Sequence, residues 1–256
     1  MPTPTASQRR GASDRRCNLR APAGVLSPGR PTRRALATPT QEVAFMRRLF
    51  APLCVFVALV ALPTVAAAAP VPFDVMANTS LVKFESEAPV ENITGISTEA
   101  SGKLLVDRAA PTATTGTISI PVASLRTGNT TRDGHLQSAD WLDAGKHPNI
   151  TFAITSVRLD GEGALVNGAS GRKGTVTGTL TIKGTAKTVS APIEVSYLAA
   201  SEKLKKAYIK GDVVRVKARF DVTLADYGVK APDHIAGVKV ADTVAISVAI
   251  TAASGE

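Results

Sequence analysis

The sequence predicts an all-β protein built as a single antiparallel barrel of about eight strands with a short helical crossing. Three observations carry this prediction. From Val82 onward apolar residues recur at alternate positions, the period of half-buried strands. No apolar stretch with helical period is long enough to cover a sheet. One polar segment, Thr127 to Phe152 (TGNTTRDGHLQSADWLDAGKHPNITF), interrupts the alternation. Within it, Thr127 to Thr131 has a loop's composition and Arg132 to Ser138 can make two helical turns. Pro148 then stops any helix before alternation resumes at Ile150.

The strands follow in order. Val82 and Phe84 mark the first, Lys103 to Val106 continues another, and Ile118, Ile120 and Val122 mark the next. In Ile150 to Leu159 the apolar phase slips, with Ile150, Phe152 and Ile154 even but Val157 and Leu159 odd, which predicts a β-bulge. Val176, Leu180 and Ile182 alternate with a ladder of Thr175, Thr177, Thr179 and Thr181, and Val189, Ala191, Ile193 and Val195 form the following strand. Val214, Val216, Ala218, Phe220, Val222 and Leu224 oppose Arg215, Lys217, Arg219, Asp221 and Thr223. Val244, Ile246, Val248 and Ile250 oppose Thr243, Ser247 and Thr251. Strands with one dry face close as a sandwich or a barrel, and the long runs Gly171 to Gly184 and Val213 to Leu224 favour a barrel. A barrel of this size is packed solid or holds one small ligand, and alternation alone fits both.

The chain has 256 residues and a formal charge of +9, but the charge is concentrated. Residues 1–69 carry ten Lys and Arg against two Asp and Glu, leaving 20 against 19 in the rest. The basicity thus belongs to a leader, which removes the argument for a nucleic-acid partner. Residues 46–68 begin with Arg47 and Arg48, continue through an apolar run from Leu49 to Leu62 and end in small residues, the three parts of a secretory signal. Cleavage after Ala68 fits the small-x-small rule, and Pro63 and the alanine run favour it over an uncleaved anchor. Residues 1–45 lack apolar periodicity and read as a disordered extension upstream of a true start at Met46, with a long native n-region as the alternative. Arg47-Arg48-Leu49-Phe50 also fits a twin-arginine core, though a Sec signal is the commoner source of a basic pair. The expected location is therefore periplasmic or secreted. Both cysteines, Cys17 and Cys54, lie in the leader, so residues 69–256 form one β-barrel domain with no thiol.

Arg132, Asp133 and His135 stand close in the crossing, and a histidine beside a carboxylate admits an acid–base or metal role. The chain's three histidines, His135, His147 and His234, do not have metal-ligand spacing. No Ser-His-Asp order, phosphate loop or zinc signature is present. The favoured reading is structural: Arg132 and Asp133 pair with each other or with neighbouring strands, and His135 bonds backbone. Leu136, Trp141 and Leu142 then plug the barrel end. Catalysis ranks last, so no catalytic, cofactor or metal residue is assigned. Arg215, Lys217 and Arg219, and the basic loop of Lys203, Lys205 and Lys206, read as solvated faces.

With these motifs in place, Phe73 to Ala252 resembles the YceI family. The resemblance rests on Thr127 with RDGHLQSADWLD (Arg132 to Asp143) and HPNITF, on GTLTIKGTAKTV with Gly178, Leu180, Gly184 and Lys187, and on DYGV with Asp226, Tyr227 and Gly228. The family commonly has an aromatic pair at Trp141-Leu142 and phenylalanine at Tyr227, and the opening VKFESEAPVENITGIS is divergent. The resemblance implies a lipocalin-like barrel that holds an amphipathic lipid, a polyisoprenoid or fatty-acyl derivative, in its lumen without a cofactor. On that reading the lumen is lined by Phe84, Ile118, Ile120, Trp141, Phe152, Ile154, Val176, Leu180 and Ile182, with Val214, Val216, Phe220, Val222, Val244, Ile246 and Val248 completing the wall. Arg132 and His135 stand at the mouth, where a headgroup role for either ranks second to the structural one. Transient membrane contact and a homodimer are further expectations for its partners. The alternatives are a secreted hydrolase-type enzyme using His135 and Asp133, and a ligand-free structural β domain.

Overall fold

The computed structural model describes residues 69–255. The extension over 1–45, the signal over 46–68 and both cysteines lie outside the described residues. Ten strand segments follow in order: β1 (Val71–Val75), β2 (Leu81–Glu87), β3 (Asn92–Ser97), β4 (Ser101–Val106), β5 (Thr115–Pro121), β6 (Asn149–Leu159), β7 (Ala169–Ile182), β8 (Thr185–Leu198), β9 (Val213–Thr223) and β10 (Thr243–Ser254). From β4 to β10 each strand pairs antiparallel with the next, and β1 closes the ring by pairing with both β4 and β10.

The ten segments make eight staves because two staves are broken. β1 lies opposite Ala252 to Ser254 of β10, while β2 lies opposite Ala245 to Ala249 on the same edge. At the break the chain makes a 3-10 turn, Ala77–Thr79, and the ladder is maintained by a side chain. The buried Ser80 hydroxyl accepts from the Thr251 amide at 3.0 Å and donates to the Thr251 carbonyl at 3.4 Å. No backbone group of Thr251 is left unpaired, which is what allows the interruption. The partner stave breaks at the same level, between β3 and β4.

Above that level the wall has a seam. β3 pairs with β2 on one edge, but its other edge meets a single bridge, with Ile96 and Arg126 exchanging N–H···O bonds of 2.8 and 2.9 Å. Residues 122–129 fill the gap, pinned by a hydrogen bond between the buried Ser97 and Ser124 hydroxyls at 2.6 Å. Val122 belongs to this filler and not to a strand as the alternation suggests. Pro121 ends β5, and Val122 opens the 3-10 turn Val122–Ser124 with 1% of its surface exposed.

The phase slip in β6 is a bulge: the register against β7 shifts between Ile154 and Ser156, so the apolar side chains on both sides of it face inward. The polar crossing carries helix α1 (Thr130–Gln137), which starts earlier than its composition suggests because the Asn129 side chain caps it by accepting from the Arg132 amide at 3.1 Å.

One end of the barrel is solid. Phe73, Leu104, Val106, Val157, Leu165, Val195, Tyr197, Val214 and Ala252 are among a continuous buried cluster there. Tyr197 closes it, its hydroxyl donating to Asp212 Oδ2 at 2.5 Å and the Arg108 guanidinium lying 5.4 Å over its ring. Burial, then the Asp212 hydrogen bond and charge, hold the Tyr197 phenol above its usual range, with Arg108 opposing.

Candidate functional site: an apolar cavity under the crossing

The other half of the barrel is hollow. A cavity of about 450 Å³ occupies it, with Leu104, Val176, Ala191 and Ile193 forming a floor shared with the solid cluster. Its wall includes Phe84, Ile118, Ile120, Phe152, Ile154, Leu180, Ile182, Val216, Phe220, Val222, Val244, Ile246 and Val248, and Trp141 lies at the crossing end. These are the sequence-derived lumen positions with one exception. Val214 has the right phase but the wrong depth, and packs in the solid cluster against the barrel's closed end. Alternation specifies which face a residue takes, whereas position along the stave decides whether it meets cavity or core.

Two phenylalanines keep the wall thin. The Phe84 ring lies over Gly95, its cross-strand partner, where a β-carbon would stand 2.2 Å from Cε1 and Cζ. The Phe152 ring reaches diagonally across Gly178, which pairs with Ile154; a β-carbon there would stand 2.5 Å from Phe152 Cζ and 2.5 Å from the Ala153 carbonyl oxygen. Each ring is flattened against the neighbouring strand instead of projecting across the lumen.

The mouth is built from three elements. Leu136 of α1, with Trp141 and Leu142 beyond it, covers the lumen from one side. The β2–β3 hairpin contributes Ser86, Glu91 and Ile93, and the loop before β10 contributes Val229, Ile235, Lys239 and Val240. Alternation reveals neither the hairpin tip nor this loop, because neither has a strand or helix period. The backbone joins the last two elements, the Val90 amide donating to the Val238 carbonyl at 3.0 Å.

The polar residues of the crossing divide their tasks. Arg132 Nη2 meets Glu91 Oε1 at 2.6 Å, fastening α1 to the hairpin across the seam; it does not pair with Asp133. Asp133 is buried, and its Oδ1 accepts from the Thr127 hydroxyl at 2.7 Å and the Thr127 amide at 2.8 Å. The Thr127 hydroxyl bond holds this carboxyl below its ordinary range; burial opposes that shift, and the Thr127 amide and the charges of Arg126 and Arg132 reinforce it. Asp133 is thus an ionised strut that ties the loop before α1 to its first turn.

His135 lies exposed at the mouth and lines the cavity, and its ring makes no hydrogen bond or ion pair among the described residues. The expected backbone bond belongs to its carbonyl, which accepts from the Ser138 hydroxyl at 2.7 Å. His135 and Asp133 form no ion pair, and on a helix residues two apart point away from each other, so the acid–base dyad does not assemble. No group of three or more His, Cys, Asp and Glu able to hold a metal occurs among the described residues.

Comparison with known proteins agrees with this architecture. A crystal structure of BcnA from Burkholderia cenocepacia superposes with a TM-score of 0.55 at 25% identity, covering 70% of this chain and 99% of that one. A polyisoprenoid-binding domain from Saccharophagus degradans, implicated in plant cell wall breakdown, superposes with a TM-score of 0.53 at 16% identity over 72% of this chain and 99% of that one. Among curated sequences, the Escherichia coli protein YceI is 36% identical over 89 residues, 35% of this chain and 41% of its own length. A UPF0312 protein of Ectopseudomonas mendocina is 38% identical over 88 residues, 34% of this chain and 41% of its own length. These alignments span about two fifths of either relative. The family model for the YceI-like domain, however, matches residues 73–252, from the middle of β1 nearly to the end of β10. With nearly the whole closed barrel inside that match, the chain belongs to the YceI-like domain family.

Proposed function

We propose that the protein is an exported carrier that holds one amphipathic lipid, a polyisoprenoid or fatty-acyl derivative, with its tail in the hollow half of the barrel. The observation that carries this reading is the cavity itself. At about 450 Å³ it falls within the range of small-molecule sites, roughly 300–1,000 Å³, and its wall is almost wholly aliphatic and aromatic. Buried apolar surface contributes about 25 cal/mol per Å², so a hydrocarbon tail supplies most of the affinity and little discrimination between heads. The head remains at the mouth beside Arg132 and His135. Binding by the Saccharophagus domain, which shares the fold, supports a polyisoprenoid tail.

The reading is one of holding rather than turnover: Asp133 is committed to Thr127, and no carboxylate among the described residues pairs with His135. Periplasmic or secreted placement rests on the signal-like sequence over residues 46–68. Native mass spectrometry of protein from its own source, followed by organic extraction, tests the reading. The expected result is a co-purifying lipid with a long apolar tail. Recovery of none, together with no binding of isoprenoid or fatty-acyl probes, would overturn it.

A further inference from the structure

The end of the barrel opposite the mouth carries a feature that neither the fold nor the cavity uses. The β7–β8 turn lies at the mouth end, where Lys183 Nζ donates to the Asp140 carbonyl at 3.3 Å. The β8–β9 connection therefore lies at the closed end. It contains helix α2 (Glu202–Lys206), capped by Ala207 and followed by Tyr208. The Ile209 amide bonds the Leu204 carbonyl and the Tyr208 amide bonds the Lys205 carbonyl, each at 2.9 Å. These two bonds define a Schellman ending, in which the residue at Tyr208 takes the left-handed conformation and is normally glycine.

Tyr208 takes it, with φ 63°, while 95% of its surface is exposed. Its ring therefore contributes nothing to the core, and glycine would satisfy the turn without strain. An outlier that costs the fold and gives it nothing in return points to a use outside the fold.

The surroundings of the ring indicate what it meets. Lys203, Lys205 and Lys206 fall within the five residues before it. The nearest acid in sequence, Glu202, is engaged by Lys205 at 2.9 Å, and Asp212 is turned inward to Tyr197 and the Ala200 amide. An exposed tyrosine among lysines fits the interface of an anionic bilayer, where an amphipathic ring sits at the headgroup level and each lysine gains from the surface potential. The chain also enters β1 at this end, as Phe73 lies opposite Ser254 and the Ser254 amide bonds the Asp212 carbonyl.

We infer that the α2–Tyr208 loop is a docking site for an anionic phospholipid surface, on which the barrel stands by its closed end with its mouth turned away. The inference is independent of what the cavity holds.

Residues 69–256, whose β1–β10 pairing closes the barrel on itself, are the material for the test. Sedimentation with vesicles of phosphatidylglycerol and phosphatidylcholine in equal parts is expected to capture the protein, and phosphatidylcholine vesicles are not. Tyr208→Gly is expected to weaken capture several-fold while raising the melting temperature, because glycine suits the turn. Tyr208→Asn, which also tolerates the left-handed conformation, weakens capture similarly, and Lys203→Gln with Lys206→Gln weakens it by about 25-fold at low salt. The inference is overturned if neither vesicle captures the protein, if the variants bind as the parent does, or if Tyr208→Gly lowers the melting temperature. Variant-sensitive binding to soluble dextran sulfate without vesicle capture would reassign the loop to a polyanion.

Discussion

Gly95→Ala tests whether the lumen can be narrowed from its own wall. The added β-carbon would stand 2.2 Å from two atoms of the Phe84 ring, whereas ordinary contact begins at 3.4 Å, so the ring must move by at least about 1.2 Å. Gly95 is a buried strand residue without positive φ, so alanine fits its backbone and reduces unfolded-state entropy by about 0.4–1 kcal/mol. If the ring swings into the hollow half, that gain offsets most of the steric cost and stability changes by less than ~1 kcal/mol. The ring then occupies about 40–60 Å² of surface that a ligand tail would cover, roughly 1–1.5 kcal/mol of lost burial or a five- to tenfold weaker Kd. Trp141, the chain's single tryptophan, lines the cavity, so quenching of its fluorescence by a fatty-acyl probe reports occupancy, and thermal melting reports the fold. The reasoning fails if probe affinity is unchanged while the melting temperature falls by many degrees, because the wall would then have absorbed the methyl group by strain and not by yielding the lumen.

Asp133→Asn weakens the acceptor for two Thr127 donors and is expected to cost about 1–3 kcal/mol in denaturant unfolding. Because the folded carboxyl titrates below its unfolded value near 3.9, the parent loses this stabilisation as pH falls from about 4 through the folded pKa, and the variant shows a flatter acid limb. Tyr197→Phe removes the bond to Asp212 and is expected to cost about 1–2 kcal/mol. The parent phenol titrates above its unfolded value near 10, so its contribution is complete below that pH and lost as pH rises toward the folded pKa, a decline the variant lacks. A double-mutant cycle of Arg132→Gln and Glu91→Gln is expected to give a salt-sensitive coupling of about 0.5–1 kcal/mol, since both side chains are partly exposed. His135→Ala should change unfolding free energy by less than about 0.5 kcal/mol, which separates a mouth residue from a fold-holding one.

The wall of the barrel was legible because each stave has one dry face, and two-residue periodicity is the direct image of that condition. The β6 bulge was legible for the same reason, as a change of phase. The broken staves were not. Their interruption is repaired by the Ser80 hydroxyl, and one serine in a strand-rich chain has no distinguishing pattern. Gly95 and Gly178 stand at inward positions, but that a phenylalanine from the adjoining strand lies over each depends on register, which alternation leaves open. Glu91 was missed because its partner Arg132 is 41 residues away, joined to it only by the seam in the wall. The loop carrying Val229, Ile235 and Val240 contributes to the cavity without any repeating spacing.

The division of one barrel into a solid half and a hollow half separates two kinds of selection. Residues such as Tyr197, Val214 and Ala252 pack against one another, and an exchange of volume there must be matched by neighbours. Aliphatic residues around the hollow half, such as Val244, Ile246 and Val248, face the cavity on one side, so trading one for another reshapes it with little loss of cohesion. Substitutions within the hollow half can therefore change the shape of the cavity while the solid half stays fixed.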